Sequence, residues 1–191
     1  GASSGIGKEI CQRLLTLKYQ VIGISRSINA NDFNNKNFTA INADLSDETS
    51  TLSTCEKFIK KDIHILINCA GFGRFEPHEE LHADVISKMI YLNLNAPLLL
   101  TNSLLRTLKK NDGYLININS IEAIRANKFA GVYSATKAGL KAFGDSLFQE
   151  CRKSNLSITN INPDMTESSF YDELRFDVSN KENEKLLSSD I

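Results

Sequence analysis

The chain has 191 residues, 41% of them apolar, and its 22 basic and 23 acidic residues leave a formal net charge of -1. This composition excludes a disordered chain and gives no electrostatic basis for binding nucleic acid or an anionic membrane. The four cysteines lack the paired spacing of a disulfide framework or a zinc site, and the apolar stretches are shorter than the roughly 20 residues of a membrane span. We therefore expect reduced thiols, no metal and a cytoplasmic protein.

Helical and strand patterns alternate along the whole chain. A glycine-rich turn at 1–7 opens a helix whose apolar spacing runs to Leu17, and a long later helix ends near Lys153. Further helices are predicted at 46–61, 81–91 and 94–110. Short apolar runs predict strands at 21–24, 38–43, 63–68, 114–119 and 156–161, the third of them buried on both faces. This order predicts a single α/β domain over 1–191, a doubly wound parallel sheet with helices on both faces (Rossmann fold).

We expect the sequence to be incomplete at both ends for such a fold. A glycine turn that opens a helix should follow a buried central strand, yet the sequence begins at Gly1. A sheet without that strand would contain unpaired backbone groups, so we expect the natural chain to begin earlier by about 5 to 6 residues or more. At the other end, 186–191 is typical of the start of a helix. The polar stretch at 163–190 is predicted to be a mobile lid over the substrate.

The first seven residues, GASSGIG, have the spacing GxxxGxG. Glycines let the backbone approach a pyrophosphate closely, and the helix that follows offers free N–H groups and the positive end of its dipole. Such turns also occur before ordinary helices, so this motif alone leaves cofactor binding and a plain turn both open.

A tyrosine and a lysine four residues apart, Tyr133 and Lys137, share one face of the predicted long helix. A nearby ammonium favours the phenolate and lowers a tyrosine pKa from its reference value of about 10. That prepares the tyrosine to exchange a proton with a substrate oxygen. A surface Tyr–Lys pair is the alternative interpretation, although the other four tyrosines have no lysine at this spacing.

Polar residues also follow two of the predicted strands. Ser120 follows the strand at 114–119, and the segment 68–71 ends the strand at 63–68. Ligands of open α/β sheets bind beyond the carboxyl ends of the strands, so Ser120 could hydrogen-bond a carbonyl oxygen, with a helix cap as the alternative. Asn93 lies in helical sequence, where asparagine is unfavourable and needs a reason.

Together these segments resemble the short-chain dehydrogenase/reductase family along essentially the whole chain. GASSGIG resembles its glycine motif, and NCAG resembles its Asn-Asn-Ala-Gly motif with Cys69 in place of the second asparagine. Asp44-Leu45 resembles the Asp-Leu pair that contacts adenine. YLNLNAP resembles the segment with the catalytic asparagine, which we align at Asn93, with Asn95 as the second choice. ININS resembles the strand of the catalytic serine, Ser120, and YSATK the Tyr-x-x-x-Lys motif.

This resemblance implies an oxidoreductase that transfers a hydride between a nicotinamide cofactor and a carbonyl or alcohol substrate. Tyr133 would be the general acid in reduction and the base in oxidation, and Lys137 would bind the nicotinamide ribose and tune the tyrosine. Ser120 would polarise the substrate carbonyl, and Asn93 would hold a water in a proton relay. Cofactor contacts are implied at Tyr133 and Lys137 and also at Gly1, Ser3, Ser4, Gly5, Ile6, Gly7, Ser25, Arg26, Asp44, Leu45, Asn68, Ala70, Gly71, Pro163 and Thr166.

The residue that ends the second strand of this family's fold separates NAD from NADP. Ser25 stands where members that use NAD carry an aspartate, and Arg26 beside it can pair with the 2′-phosphate of NADP. We therefore expect NADP(H), with NAD(H) and a solvated surface arginine as the alternative. Asp164 stands where the family usually has glycine after Pro163, so we expect some backbone cost and a slightly different nicotinamide end. Thr166 and Ser168 remain available to the carboxamide.

Two other functions stay open, a non-catalytic dinucleotide-binding sensor or scaffold and a sugar-nucleotide epimerase or dehydratase. The sequence does not identify the substrate, which we expect to be a small carbonyl or alcohol compound. Its pocket is expected between Phe72, the segment 121–129 and the loop from Pro163, with Phe170 and Tyr171 as candidate walls. Glu122 and Arg125 give a weak indication of a polar substrate. The resemblance also implies a homodimer or homotetramer, paired through the helices at 94–110 and 133–153.

Overall fold

Parallel strands and flanking helices form the fold. The computed structural model describes residues 1–164, 166–167 and 186–187, the last two pairs by their backbone only. The strands are β1 (Val21–Ser25), β2 (Phe38–Asn42), β3 (Ile65–Asn68), β4 (Tyr114–Ile118), β5 (Ser157–Ile161), β6 (Thr166–Glu167) and β7 (Leu186–Leu187). The α-helices are α1 (Gly5–Thr16), α2 (Glu48–Glu56), α3 (Ala83–Ile90), α4 (Ala96–Lys110) and α5 (Gly131–Glu150).

The strand pairs are all parallel. β1 pairs with β2, β3–β4–β5 form a second sheet in that order, and β6 pairs with β7. Parallel strands need crossover connections; α3 and α4 connect β3 to β4, α5 connects β4 to β5, and a loop with a short 3₁₀ turn at Ala30–Asp32 connects β1 to β2. The predicted α/β architecture is confirmed, and β1 to β5 each lie within two residues of the predicted bounds.

A cavity of about 970 Å³ lies between β1 and β3. Its lining includes Ile22 and Ile24 of β1 and Ile65 and Ile67 of β3. Residues 65–67 of β3 border this cavity and are half-buried in the described part of the chain, so burial of this strand on both faces stays a prediction. The expectation of a strand before Gly1 concerns residues outside this chain and stays a prediction.

The predicted break between two helices around residue 92 is wrong. A π-helical turn, Tyr91–Asn95, joins α3 to α4 into one continuous helix, and the N–H of Ala96 bonds the carbonyl of Tyr91 five residues back. Pro97 follows in the first turn of α4. Proline has no N–H, so the carbonyl of Asn93 loses the donor that a regular helix would place four residues later. The widened turn therefore sits where the i to i-4 ladder cannot be completed.

Helix α2 ends earlier than the predicted bound of residue 61. Tighter bonds follow it, from Phe58 N–H to Cys55 O at 3.0 Å and from Lys61 N–H to Phe58 O at 2.9 Å. Bonds that span three residues tighten the end of a helix and turn the chain. The turn buries the Phe58 side chain, which is 4% exposed, in the main core.

The main hydrophobic cluster joins α4, α5 and β4, with Leu104, Leu108, Leu115 and Leu147 among its buried members. Leu108 and Leu115 are fully buried, and truncation of such residues to alanine typically costs about 2–5 kcal/mol. This packing holds α5 against β4 and β5, which fixes the residues on its first turns over the ends of those strands. No described helix combines the length and apolarity that a membrane crossing requires.

Candidate active site

Helix α5 brings Tyr133 and Lys137 together. The spacing of four residues puts both side chains on one face of the helix, one turn apart. Both are buried, and the Nζ of Lys137 lies 5.8 Å from the centroid of the Tyr133 ring. The alternative of a solvated surface pair is wrong for these two residues, because neither side chain is more than 5% exposed.

The ammonium of Lys137 is fixed by the end of β4. Its Nζ donates a hydrogen bond of 2.9 Å to the carbonyl oxygen of Ile118. Burial lowers the pKa of Lys137 to about 8, and the neighbouring Cys69 acts in the opposite direction. Burial in turn raises the pKa of the Cys69 thiol. The lysine is thus a buried cation with two donors left for a ligand or for Tyr133.

Ser120 lies just beyond the end of β4, as predicted. It begins the short 3₁₀ turn Ile121–Ala123, and its Oγ accepts a hydrogen bond of 3.2 Å from the N–H of Glu122. Ser120 therefore does cap the 3₁₀ turn, through a lone pair of its Oγ. The hydroxyl proton is separate from that bond, so capping leaves Ser120 able to donate to a substrate oxygen.

Asn93 is fully buried in the π-helical turn. Its Oδ1 accepts from the N–H of Phe72 at 3.0 Å, and its Nδ2 donates to the carbonyl of Phe72 at 2.8 Å and to Thr136 Oγ1 at 3.1 Å. Both amide protons are therefore used within the protein. Asn95 is exposed, so burial and hydrogen bonding favour the assignment of the site asparagine to Asn93. Pro97 leaves the backbone carbonyl of Asn93 without its usual donor, so this oxygen remains able to accept a hydrogen bond.

Gly71 packs against this group. A Cβ at position 71 would lie 3.1 Å from Asn93 Oδ1 and 3.5 Å from Lys137 Nζ. The end of the NCAG segment therefore touches both the π-turn and α5 without a side chain of its own. This close approach gives a physical reason for the glycine at that position.

The glycine turn uses its glycines partly for packing. Gly5 has φ 51°, a left-handed conformation that glycine adopts without strain. A Cβ on Gly7 would collide with the carbonyl of Gly1, and one on Gly1 would lie 2.8 Å from the backbone N of Ala70. Ser4 begins α1 without a side-chain cap, so its hydroxyl does not occupy the N–H groups of the first turn, where Ile6 also lies. Ser3 is half-buried in the same turn.

The residues predicted to contact the adenosine half lie at the ends of β1 and β2. Ser25 Oγ accepts from the N–H of Ser27 at 3.3 Å, and Arg26 is exposed. Burial disfavours ionisation of Asp44, yet hydrogen bonds from Ser46 and the charge of Arg26 outweigh it and lower the pKa of Asp44. The guanidinium is thus near enough to act on the Asp44 carboxylate. The Leu45 side chain is buried in the main core.

Other residues predicted to contact the cofactor use their polar groups for hydrogen bonds within the protein. Both donor bonds of the Asn68 amide go to Thr101 Oγ1 and Asn117 Oδ1, so only its backbone remains for a cofactor. The carbonyl of Pro163 accepts from the N–H of Ile121 at 2.8 Å. Thr166 lies in β6, where only the backbone is described. Ser168, Phe170, Tyr171 and most of the predicted lid at 163–190 lie outside the described residues.

Glu122 and Arg125, which the sequence offers as a weak indication of a polar substrate, both have partners within the protein. Glu122 accepts from Ser134 Oγ at 2.9 Å and from the backbone and side-chain amides of Asn127. Arg125 pairs with Asp164 at 3.8 Å. These bonds tie the segment 121–129 to α5 and to the loop after β5. Asp164 is not among the described residues with positive φ, so the expected backbone cost of replacing glycine there is absent.

Two residues of the site were not singled out from the sequence. The Phe75 ring packs on Tyr133 with centroids 5.2 Å apart. Thr136 is buried, donates to the carbonyl of Tyr133 at 2.7 Å and accepts from Asn93, which links the π-turn to α5. The only sequence signal for Thr136 is its place inside YSATK, and Phe75 gives no periodic signal.

Comparisons with known proteins agree on one family. The short chain dehydrogenase model matches residues 1–178. A protein named 3-oxoacyl-[acyl-carrier-protein] reductase FabG from Buchnera aphidicola (subsp. Acyrthosiphon pisum) is 30% identical over 181 residues, which are 91% of this chain and 74% of that protein. The acetoacetyl-CoA reductase of Acinetobacter sp. (strain RA3849) is 25% identical over 190 residues, 93% of this chain and 77% of that protein.

Solved structures show the same fold. A short-chain dehydrogenase from Sphingobium yanoikuyae in complex with NADPH matches with a TM-score of 0.91 at 22% identity, over 100% of this chain and 78% of that one. A 4-hydroxyisoleucine dehydrogenase complexed with NADH matches with a TM-score of 0.79 at 27% identity, over 88% of this chain and 74% of that one. The similar structures thus include complexes with either nicotinamide cofactor.

Proposed function

Because the chain belongs to the short chain dehydrogenase family and is an NAD(P)-dependent oxidoreductase, we propose that it reduces a carbonyl compound with NADPH, or runs the reverse oxidation. The observation that carries the proposal is the buried pair Tyr133 and Lys137, with the ammonium fixed 2.9 Å from the Ile118 carbonyl and Ser120 two residues beyond it. A buried cation beside a buried phenol, at the end of a parallel strand, suits proton transfer to a developing alkoxide.

The residues around the crevice fit a dinucleotide. The first turn of α1 offers a pyrophosphate N–H groups that no Ser4 side chain caps. The ionised Asp44 lies at the adenosine end. When bound, the nicotinamide supplies the hydride. Lys137 would hold the ribose through its free donors, and Thr166 would meet the carboxamide.

Each catalytic group has a separate task in the proposal. Ser120 donates its hydroxyl proton to the substrate oxygen and holds it in place. Tyr133 delivers the proton to that oxygen as negative charge develops on it. Lys137 stabilises the resulting phenolate and then gives it a proton, and a water held at the Asn93 carbonyl would return a proton to Lys137. The Phe75 ring packs on Tyr133 and helps exclude bulk water from this end of the crevice.

NADP(H) is the cofactor that the end of β1 supports. Ser25 offers no carboxylate to repel a 2′-phosphate, and the exposed Arg26 beside it is near enough to Asp44 to lower the pKa of that residue. A guanidinium at this place can pair with a phosphate in two parallel hydrogen bonds.

A homodimer or homotetramer is the assembly that we infer, formed through α4 and α5. The Phe148 side chain of α5 is 49% exposed on the described surface, although Leu140 and Leu147 of the same helix are buried in the subunit. A large apolar ring on an outer helix face suits a partner helix of a second copy.

The direct test is a panel of carbonyl substrates followed by NADPH absorbance. The panel includes 3-oxoacyl thioesters, since the similar proteins include enzymes named as reductases of such compounds. We expect turnover with at least one compound and a loss of about 10²- to 10⁴-fold in Tyr133→Phe, which keeps the ring but removes the proton donor. Tyr114→Phe is the matched control, because Tyr114 is 51% exposed on β4. Full turnover by Tyr133→Phe would favour a binding-only protein.

A further inference from the structure

A row of asparagine side chains crosses three neighbouring strands just below the site. Asn68 of β3 is paired in register with Asn117 of β4, and Asn117 with Asn160 of β5. The side chains are joined as well, from Asn68 Nδ2 to Asn117 Oδ1 at 2.9 Å and from Asn117 Nδ2 to Asn160 Oδ1 at 3.1 Å. Buried amides are costly unless they are hydrogen-bonded, so this row is unlike an ordinary strand interior.

Asn160 holds β4 on both sides of Ile118. Its Oδ1 accepts from Asn117 Nδ2 at 3.1 Å and from Asn119 Nδ2 at 3.2 Å. These two residues are the chain neighbours of Ile118, whose carbonyl receives the ammonium of Lys137 at 2.9 Å. One amide oxygen therefore clamps the piece of backbone that anchors the lysine and that continues directly into Ser120.

The other end of the Asn160 amide holds α5. Its Nδ2 donates to the carbonyl of Lys141 at 3.2 Å and to Asp145 Oδ1 at 2.9 Å, and Asp145 also pairs with the Lys141 side chain. Lys141 lies one helical turn after Lys137. Gly144 makes room for the amide, because a Cβ at position 144 would lie 2.9 Å from Asn160 Cγ and closer still to its two terminal atoms.

We propose that Asn160 is a positioning residue, which sets the separation of α5 from β4 and so keeps the Lys137 ammonium on the Ile118 carbonyl beside Tyr133. Only a short amide has an oxygen that can accept two bonds and a nitrogen that can donate two from the same place. Aspartate lacks the donors and would face the Asp145 carboxylate, and glutamine is one carbon too long for the space left by Gly144. The proposal rests on the proposed role of Lys137 and Tyr133.

The test compares Asn160→Ala with Asn111→Ala in the full-length protein. Asn111 is a matched control, because its Nδ2 likewise donates to one carboxylate, Asp62 Oδ1, and to one backbone carbonyl, that of Ile63. It lies at the opposite end of β4, away from the site. Asn160→Ala also loses the two bonds that its Oδ1 accepts, so the unfolding free energy of both variants is measured and their functions are compared where both are folded.

Two readouts separate positioning from stability. In Asn160→Ala we expect kcat to fall about 10- to 100-fold with a changed pH profile, because small displacements of catalytic groups have effects of that size. The second readout is competitive acylation of Lys137, quantified by mass spectrometry over a range of pH. The midpoint for Lys137 should move up from about 8 toward 10.5 as water reaches the ammonium. Cys69 and Tyr133 are the other titratable groups that face it and are followed in the same samples.

If Asn160→Ala folds poorly, Gly144→Ala provides a second way to displace the Asn160 amide. The added methyl group pushes on the Asn160 amide from the helix side, whereas alanine itself favours the helix. In the double variant Gly144→Ala/Asn160→Ala the added methyl group no longer collides with the Asn160 amide, but the hydrogen bonds of that amide are still missing. We expect the double variant to recover stability while kcat and the acylation midpoint stay altered.

The outcomes distinguish this proposal from the proposed function. Unchanged pH profile and acylation midpoint in Asn160→Ala, with active wild-type protein, would overturn the positioning role and leave the oxidoreductase assignment intact. An altered Lys137 midpoint in Asn160→Ala would support the positioning role even if the wild-type protein reduces no carbonyl compound, and that lack of turnover would count against the proposed function. Equal effects of Asn160→Ala and Asn111→Ala on both readouts would assign Asn160 to stability alone.

Discussion

Replacing Lys137 with methionine should remove activity and yet make the fold more stable at neutral pH. Lys137 is 4% exposed, and burial lowers its pKa from the ordinary 10.5 to about 8. At 1.36 kcal/mol per pKa unit, the charged lysine destabilises the folded protein by about 3 kcal/mol below pH 8. Methionine removes this cost but leaves the Ile118 carbonyl without its donor, which costs about 1–3 kcal/mol. The net gain at pH 7 is therefore about 0–2 kcal/mol.

The pH dependence gives the sharper test of this reasoning. Between about pH 8 and 10.5 the unfolded chain binds the Lys137 proton more than the folded chain does, so wild-type stability from this group rises with pH. In Lys137→Met that rise is absent. The stability difference between variant and wild type should thus shift by about 3 kcal/mol against the variant from pH 7 to 10.5. At pH 10.5 the variant should be the less stable of the two.

Urea unfolding at intervals from pH 7 to 10.5 measures this difference directly. Titrating groups distant from Lys137 act alike on both proteins and cancel in the comparison, and a Cys69→Ala background removes the thiol whose pKa the Lys137 charge lowers. Lys153→Met is the control, because Lys153 is exposed just beyond α5, and its stability difference from wild type should stay flat. A flat difference for Lys137→Met as well would refute the conclusion that a charged lysine is buried at this place.

Three further results are expected. Arg26→Ala should weaken NADPH binding about 10-fold or more, as the loss of hydrogen bonds to a charged group predicts, with NADH binding unchanged in a titration. Ser25→Asp should favour NADH, and Arg152→Ala, an exposed arginine after α5, should change neither; NADH preference in wild type would contradict the cofactor proposal. Gly71→Ala should lower turnover and cost about 1–3 kcal/mol, because its Cβ would lie 3.1 Å from Asn93 Oδ1. Sedimentation at micromolar concentration should give a dimer or tetramer, and a monomer would rule out pairing through α4 and α5.

The strands and the Tyr133–Lys137 pair were predictable because they depend on local periodicity. A run of apolar residues fixes a buried strand, and a spacing of four fixes a shared helix face. The break predicted near residue 92 failed because a widened turn keeps helical backbone angles and has no periodic signature. Pro97 was the available signal, since it removes one N–H from the helix ladder.

The internal contacts of the site were not predictable from local sequence. Glu122 and Arg125 were read as a sign of the substrate, but their partners Ser134 and Asp164 lie 12 and 39 residues further on and meet them only in the fold. Asn160 was likewise read only as part of a strand. Its importance depends on the register of β4 with β5 and on the approach of α5, which no motif records.

The most direct test of the central claim is the fate of deuterium at C4 of the nicotinamide. NADPH that carries two deuterium atoms at C4 is incubated with the best substrate of the panel, and the product is examined by mass spectrometry and NMR. Hydride transfer predicts one deuterium per product molecule on the carbon that bore the carbonyl oxygen, at a rate about 10²- to 10⁴-fold lower in Tyr133→Phe. A product that carries no deuterium from the cofactor, or that takes hydrogen at this carbon from the solvent, would contradict the oxidoreductase proposal and favour the epimerase or dehydratase alternative.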